Sequence, residues 1–304
     1  MNITLTGASG LIGTHLQKRL SDEGHSIKTL SFRLFNKFED QKDFQIPKKI
    51  ENSILESLAE ADAVIHLAGA PVSQAWTPKG KARIFDSRAL GTLALAKALK
   101  KLQLRIPLIS ASGIGFYPDP SAEPLHEHDA PGNAFLSKVC QAWEAPVKEL
   151  MEEQYPVFIL RTGLVLSNRG GILPLIQKSA PWGIVPMTGS GQNAWSWIHI
   201  EDLTRLYITA AKQRLLPGIY NAVSPHVVSQ QEFAETLLKA QKRTPWSFTP
   251  TVPAWLLKSA LGERSQLPLT NQKVMAQALL QQGFSFEHSA LAQALQDLKN
   301  RPYV

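Results

Sequence analysis

A chain of 304 residues that is 44% hydrophobic and 19% charged has the composition of a folded globular protein, long enough to bury a substantial core in one or two domains. Its net charge of +7 does not point to nucleic acid, because Lys and Arg are scattered in short clusters such as Lys48-Lys49 and Lys100-Lys101 with no aromatic residues interleaved. No apolar run has the length of a membrane span, no leader pattern precedes the first strand, and the single Cys140 excludes an internal disulfide and a cysteine-zinc cluster. The expectation is a soluble cytoplasmic protein, monomer or homodimer, that takes a small-molecule substrate and neither nucleic acid nor a metal. The positive charge then serves attraction for an anionic cofactor or substrate.

The first strand is predicted over Asn2-Ile3-Thr4-Leu5-Thr6, running directly into Gly7-Ala8-Ser9-Gly10-Leu11-Ile12-Gly13. Leu11, Ile12, Leu16 and Leu20 recur at helical spacing, and Gly24 stands where that helix should stop. Strand, glycine turn and helix together make a dinucleotide grip. The first Gly permits the turn, the second lets the backbone approach a diphosphate, and the third lets helix pack on strand, with the diphosphate on the helix N-terminus. Gly7, Ser9, Gly10, Leu11, Ile12 and Gly13 are therefore candidate cofactor residues. A second strand over 26–32 ends Leu30-Ser31-Phe32-Arg33 with no carboxylate to take a ribose 2′-hydroxyl. Ser31 and Arg33 suit the 2′-phosphate of NADP, the alternative being that Arg33 is a solvated loop charge.

Strands over 63–67, 107–110 and 157–160 alternate with helices over 53–60, 85–102 and 136–151. That rhythm predicts an α/β protein with a Rossmann-like, doubly wound parallel sheet. The expected organisation is an NADP-binding domain over 1–165, with returns near 188–225, and a smaller substrate lobe over 166–304. Beyond Gly163 the texture changes to Pro/Gly-rich loops, of the kind that form sites. A last helical region over 229–299, broken near 245–253 and at Pro268, includes a C-terminal helical domain from about 250.

Asp62-Ala63-Val64-Ile65-His66-Leu67-Ala68-Gly69, following that glycine turn, resembles the extended short-chain dehydrogenase/reductase superfamily. Further matches are Ser110-Ala111-Ser112, Arg161-Thr162-Gly163, Gly189-Ser190-Gly191-Gln192 and Trp197-Ile198-His199-Ile200-Glu201-Asp202. The chain is similar in particular to the atypical "epimerase family protein" branch, at Trp76, Ser87-Arg88, Trp143-Glu144, Gly170-Gly171-Ile172-Leu173 and Ser196-Trp197-Ile198-His199. That branch has a C-terminal domain of unknown function, similar here to Val252-Pro253-Ala254-Trp255, Leu261-Gly262-Glu263 and Gly283-Phe284-Ser285-Phe286.

The resemblance implies that Leu67, Ala68 and Gly69 run beside the cofactor, and that Thr162, Gly163, Leu164 and Lys138 also bind it. It implies a Ser that holds the reacting oxygen, a Tyr that passes its proton, and a Lys four residues later whose charge favours the phenolate of a Tyr that otherwise titrates near ~10. Ser112 and Lys138 take the Ser and Lys places, the alternatives being that Ser112 caps the loop and that Lys138 is a plain surface residue. The Tyr place holds Ala134, flanked by Asn133 and Phe135, and none of these carries a proton. Tyr117, on the loop after Ser112, is the candidate substitute, the alternative being an aromatic wall residue. Arg88 replaces an Asn, Ala70 replaces a Glu, and Trp195-Ser196 replaces an Arg that grips the diphosphate of sugar nucleotides.

His66 reads as a satisfied core histidine, Cys140 as a packing residue and Arg161 as the partner of a buried carboxylate. His199 and Asp202 read as structural residues that start a helix. Trp76, Trp182, Trp195 and Trp197 either line a pocket for a flat substrate or pack the lobes. The implied activity is an NADP-dependent oxidoreductase acting on a small carbonyl or alcohol. The alternatives are a non-catalytic NADP-binding regulatory protein, linked to division, and a nucleotide-sugar epimerase.

Overall fold

The computed structural model describes residues 1–31, 46–121, 123–243 and 251–300. The chain forms two compact units: Met1–Phe116, Asn133–Arg161 and Thr204–Tyr220 make one, and Tyr117–Gly132, Thr162–Leu203 and Asn221–Val304 the other.

In the first unit β1 (Asn2–Thr6) buries Ile3 and Leu5 on one face and Thr4 and Thr6 on the other, as a strand inside a parallel sheet must. It is followed by α1 (Leu11–Asp22), which buries Gly13, Leu16 and Leu20 and stops before Gly24, whose φ is +75°. Next come β2 (Ser26–Leu30), α2 (Lys48–Leu58) and β3 (Ala63–His66). After them come α3 (Pro78–Leu102), β4 (Leu108–Gly113), α4 (Phe135–Glu152) and β5 (Val157–Thr162). With the strand Gly218–Ala222 at its edge, the sheet has the order Gly218–Ala222, β5, β4, β3, β1, β2. The pairs β1–β2, β1–β3 and β3–β4 are parallel. Leu58, Val64, Leu95, Leu99, Val157 and Ile159 are among the side chains that fill one core cluster between sheet and helices.

This is the doubly wound arrangement read from the sequence. The chain lays β2 on one side of β1 and crosses to the other side for β3, so the loops leaving β1 and β3 flank the point where strand order reverses. Several boundaries differ from expectation: α2 begins at Lys48 and not at 53, and β4 runs on to Gly113 and not to 110. β2 ends at Leu30 and not at 32; Ser31 follows it, while Phe32 and Arg33 lie outside the described residues. α3 begins two turns before 85, because Thr77 accepts the Gly80 N–H at 3.1 Å and Pro78 supplies a helical φ at the first position.

In the second unit the strand Leu164–Ser167 runs parallel to Trp197–His199 and antiparallel to Gly170–Gly171. Ser229 caps the helix Gln230–Ala240 by accepting the Glu232 N–H at 3.0 Å. Helices Ala254–Leu261, Gln266–Leu269, Gln277–Gln281 and Leu291–Asn300 follow. Pro268 sits within the first turn of Gln266–Leu269, and the helical region is interrupted just after it, as expected, the next helix starting at Gln277. The expected break at 245–253 falls largely outside the described residues. Among the described residues no helix is long and apolar enough to cross a membrane.

Candidate functional site

The glycine turn is built by close approach. Gly7 has φ +70°, and a Cβ on it would stand 2.7 Å from the Leu67 carbonyl carbon and 2.9 Å from the Ala68 nitrogen. The turn leaving β1 therefore lies against the exit of β3. A Cβ on Gly13 would stand 2.3 Å from the Gly7 oxygen and 2.8 Å from the Ala8 Cα, so the third glycine lets the helix fold against the turn itself, not against the strand. Gly10 differs from both: a Cβ there meets only the Gly7 oxygen, at 3.3 Å. Gly10 is the N-cap of α1, no side chain caps it, and the first turn holds no acidic residue. The first N–H groups of α1 consequently face an exposed Ser9-Gly10 edge with positive helix dipole behind them, which suits a phosphate.

Beside this cradle, the end of β3 is fixed by a chain of hydrogen bonds whose direction can be read out. Thr6 Oγ1 accepts the N–H groups of Leu67 (3.1 Å) and Ala68 (3.2 Å), so its own proton goes to His66 Nδ1 at 2.7 Å. His66 then carries its proton on Nε2 and donates it to Thr92 Oγ1 at 3.0 Å, while Thr92 donates to the Arg88 carbonyl at 2.8 Å. Burial, and then the Arg88 charge, push the His66 pKa down to about 3. His66 is thus a neutral relay holding Leu67 and Ala68 in place, a core residue as expected. One residue on, Ala70 donates its N–H to Ser87 Oγ at 2.9 Å and accepts from Arg88 Nη1 at 2.9 Å.

Ser112, at the end of β4, is 5% exposed and donates to Glu144 Oε1 at 2.7 Å. Glu144 also receives Arg161 side-on, Nε to Oε1 and Nη2 to Oε2, both at 2.8 Å, and Lys148 Nζ at 2.9 Å. The Arg161 guanidinium lies over the Phe116 ring at 3.5 Å. Burial raises the Glu144 pKa, but Arg161 and Lys148 outweigh it and hold the carboxylate below its ordinary value. Arg161 pairs a buried carboxylate, as the sequence suggested. Cys140, also buried, donates to the Gly113 carbonyl, and its thiol is pushed up to about 11, first by burial and then by Glu144.

The sequence pattern of the NAD dependent epimerase/dehydratase family matches residues 3–222, well over half of the chain. The chain belongs to that family. A second pattern, a domain of unknown function (DUF1731), matches residues 252–298. Among similar proteins, the chloroplastic epimerase family protein SDR39U1 homolog of Arabidopsis thaliana is 30% identical over 302 residues, covering 97% of this chain and 86% of the plant protein. Epimerase family protein YfhF of Bacillus subtilis is 29% identical over 301 residues, with 98% of each chain covered. Human epimerase family protein SDR39U1, solved with NADPH, has the same fold: TM-score 0.84 at 24% identity over 99% of this chain and 100% of that one.

Against the epimerase/dehydratase pattern the remaining candidates fall as follows. Ala134 is the N-cap of α4 and offers no hydroxyl. Lys138 stands in the first turn of α4 with an exposed side chain that makes no hydrogen bond or ion pair among the described residues, and it is not bonded to Ser112. Ser31 is exposed just beyond β2. Tyr117, in the second unit, is 1% exposed and donates to Asn221 Oδ1 at 2.7 Å. Thr162 and Leu164 flank Gly163, whose Cβ would stand 2.5 Å from the Ser196 oxygen, and Leu164 donates its N–H to that same oxygen at 2.9 Å.

His199 accepts the Glu201 N–H at 3.2 Å at its helix start, while Asp202 does more than begin that helix, accepting the N–H groups of Glu287 and His288 at 2.8 and 2.9 Å. Ligand atoms of His199, His288 and Asp297 lie within 4.8 Å of one another. The two imidazoles stack at 3.9 Å with a 35° tilt, and His199 Nε2 stands 3.4 Å from Asp297 Oδ2. Trp182 is 73% exposed, Trp197 is fully buried, Trp195 packs on Phe233, and Trp76 packs edge-on against Phe135.

Glu144, Thr92 and Asn221 carry roles that sequence reading did not assign. Glu144 left a signal: it falls in the buried stripe Ser137, Cys140, Glu144, Val147 of α4, where a carboxylate requires a partner. Asn221 left none, lying 104 residues from Tyr117.

Proposed function

We propose that the protein is a soluble, cytoplasmic NADP-dependent oxidoreductase, monomer or homodimer, acting on a small carbonyl or alcohol substrate. The observation that carries this reading is the cradle at Gly10, open above an uncapped helix N-terminus, beside the fixed edge Leu67–Gly69. The NADPH of the human relative supports the choice of cofactor. Gly7, Ser9, Gly10, Leu11, Ile12 and Gly13 hold the diphosphate, Ser31 and Arg33 the 2′-phosphate, and Leu67, Ala68, Gly69, Thr162, Gly163 and Leu164 the remainder, with Lys138 on the nicotinamide ribose. When bound, the nicotinamide supplies or accepts the hydride. Ser112 holds the substrate oxygen by releasing Glu144, which keeps Arg161 and Lys148 as partners. Tyr117 or a water passes the proton.

A second reading, a non-catalytic NADP-binding protein, is favoured by one observation: Ala134 has no hydroxyl, and the protons of both Ser112 and Tyr117 are already donated. A carbonyl-substrate panel with NADPH, run on wild type and Ser112→Ala, separates the two. Turnover that falls at least tenfold in the variant supports the first reading. NADPH retained through purification with no carbonyl reduced supports the second, and turnover untouched by the substitution removes Ser112 from the chemistry. Nucleotide-sugar epimerisation is the weakest reading, since Trp195, where a diphosphate grip is needed, is buried against Phe233.

A further inference from the structure

In the first unit the Arg161 guanidinium is buried and that of Arg88 half-buried, and their surroundings differ. Arg161 presents its Nε and Nη2 edge to both oxygens of Glu144, the side-on geometry that matches a planar carboxylate. Arg88, on α3, uses only Nη1, donating to the carbonyls of Ala70 (2.9 Å) and Ile84 (3.1 Å) while its guanidinium lies over the Trp143 ring at 4.8 Å. Two carbonyls fix the group in place, but they do not neutralise it. Among the described residues no carboxylate stands within ion-pair distance of Arg88, and its Nε and Nη2 donate to nothing. Ala70, the residue it grips, contributes a methyl group. Burial lowers the Arg88 pKa to about 10, so at neutral pH the group keeps its charge.

Gly69 lies over the Nε–Nη2 side of that guanidinium, since a Cβ there would meet Arg88 Cζ at 2.8 Å, Nη2 at 3.0 Å and Nε at 3.1 Å. The flat face of Arg88 therefore lies against an exposed glycine, next to Leu67 and Ala68, with its Nε and Nη2 uncommitted beside it. We propose that Arg88 is the subsite for a carboxylate carried by the substrate, so that the substrate class is an oxo acid or its hydroxy-acid counterpart. This rests on the reading above that Leu67–Gly69 borders the cofactor. A cofactor phosphate is the other anion that could reach a guanidinium here. The α1 N-terminus already suits phosphate, while the paired edge of Arg88 has the shape of a carboxylate.

The test is isothermal titration of benzoate, and of neutral benzamide, into NADPH-loaded protein. Benzoate should bind wild type at least tenfold more tightly than benzamide. Arg88→Gln should lose that preference with NADPH affinity kept within about twofold, and Arg88→Lys, which keeps charge but not the fork, should lose part of it. Ala70→Glu should lose it too, with Arg88 intact, by placing an internal carboxylate beside the guanidinium, so the test survives a failure of Arg88→Gln to fold. Wild type that binds NADPH but not benzoate overturns the proposal, as does benzoate binding unchanged in both Arg88→Gln and Ala70→Glu. A tenfold loss of NADPH affinity in Arg88→Gln also overturns it and assigns the group to a cofactor phosphate. Failure of wild type to bind NADPH would instead defeat the reading of the cofactor site.

Discussion

His66 makes the fold sensitive to acid, and the size of the effect can be worked out. In the folded protein its imidazole is wholly buried, accepts a proton from Thr6 on Nδ1 and donates from Nε2 to Thr92, so a second proton has no place to go. Its pKa is accordingly pushed down to about 3, by burial first and the Arg88 charge second. In the unfolded chain the same group titrates near ~6.5, so the unfolded state binds the proton first as pH falls. The stability contributed by neutral His66 is complete above that value and is lost progressively toward pH 3. At about pH 5 the unfolded chain is already almost fully protonated at this position, which costs the fold about 2 kcal/mol relative to neutral pH. Replacing His66 by Gln removes the titration. The variant should be less stable at about pH 7.5 by about 1–3 kcal/mol, since it disturbs a buried hydrogen-bond relay. Between that pH and about 5, however, it should lose about 2 kcal/mol less than wild type. Urea unfolding followed by circular dichroism at both pH values measures the difference, and the other histidines cancel in the comparison. An equal loss in both proteins would refute the buried neutral relay.

Two further outcomes follow from the first unit. Glu144→Ala strands the Arg161 guanidinium in the interior and should cost about 3–5 kcal/mol, with Glu144→Gln costing less because it keeps hydrogen-bond acceptance. Denaturant titration checks this, and a change under about 1 kcal/mol for Ala would mean that water reaches the pair. Gly10→Ala should leave the unfolding midpoint nearly unchanged and weaken NADPH binding at least tenfold, whereas Gly13→Ala, whose methyl would stand 2.3 Å from the Gly7 oxygen, should destabilise the fold itself. Thermal melts with and without NADPH separate the two. Wild-type affinity in Gly10→Ala would place the diphosphate elsewhere.

What was legible in the sequence was local. Strand, glycine turn and helix form one continuous stretch from Asn2 to Asp22, and each step has its own chemical signature, so the cradle is readable from the order of residues alone. The alternation of strands and helices likewise fixes a parallel sheet, because each parallel connection needs a crossover. The first two turns of α3 were hidden because Lys79-Gly80-Lys81 lacks apolar periodicity, and only the Thr77 cap makes them helical. The partner of Arg161 could be expected in kind but not in person, since several carboxylates in the sequence could have served until α4 was placed against β4 and β5. Arg88 is a harder case: its meaning depends on what does not approach it, and a sequence does not state absences.

A side chain that serves any reduction must first let go of its present acceptor, and Ser112, which would hold the oxygen, and Tyr117, which would pass the proton, differ in what they would leave behind. If Ser112 turns away, Glu144 still has Arg161 and Lys148, so nothing buried is stranded. If Tyr117 turns away, Asn221 Oδ1 loses its hydrogen bond at a residue with no exposed surface, at a cost of about 1–3 kcal/mol. That penalty would slow a Tyr117-dependent step by roughly 10- to 100-fold, which makes water the better source and Tyr117 a strut. Tyr117→Phe should therefore lower stability by about 1–2 kcal/mol and leave turnover of whatever carbonyl is reduced within about twofold of wild type. Unfolding midpoints measured beside kcat decide the matter. A variant of unchanged stability and collapsed kcat would restore Tyr117 as the proton carrier, and would mean that the bond to Asn221 is one the enzyme breaks in every cycle.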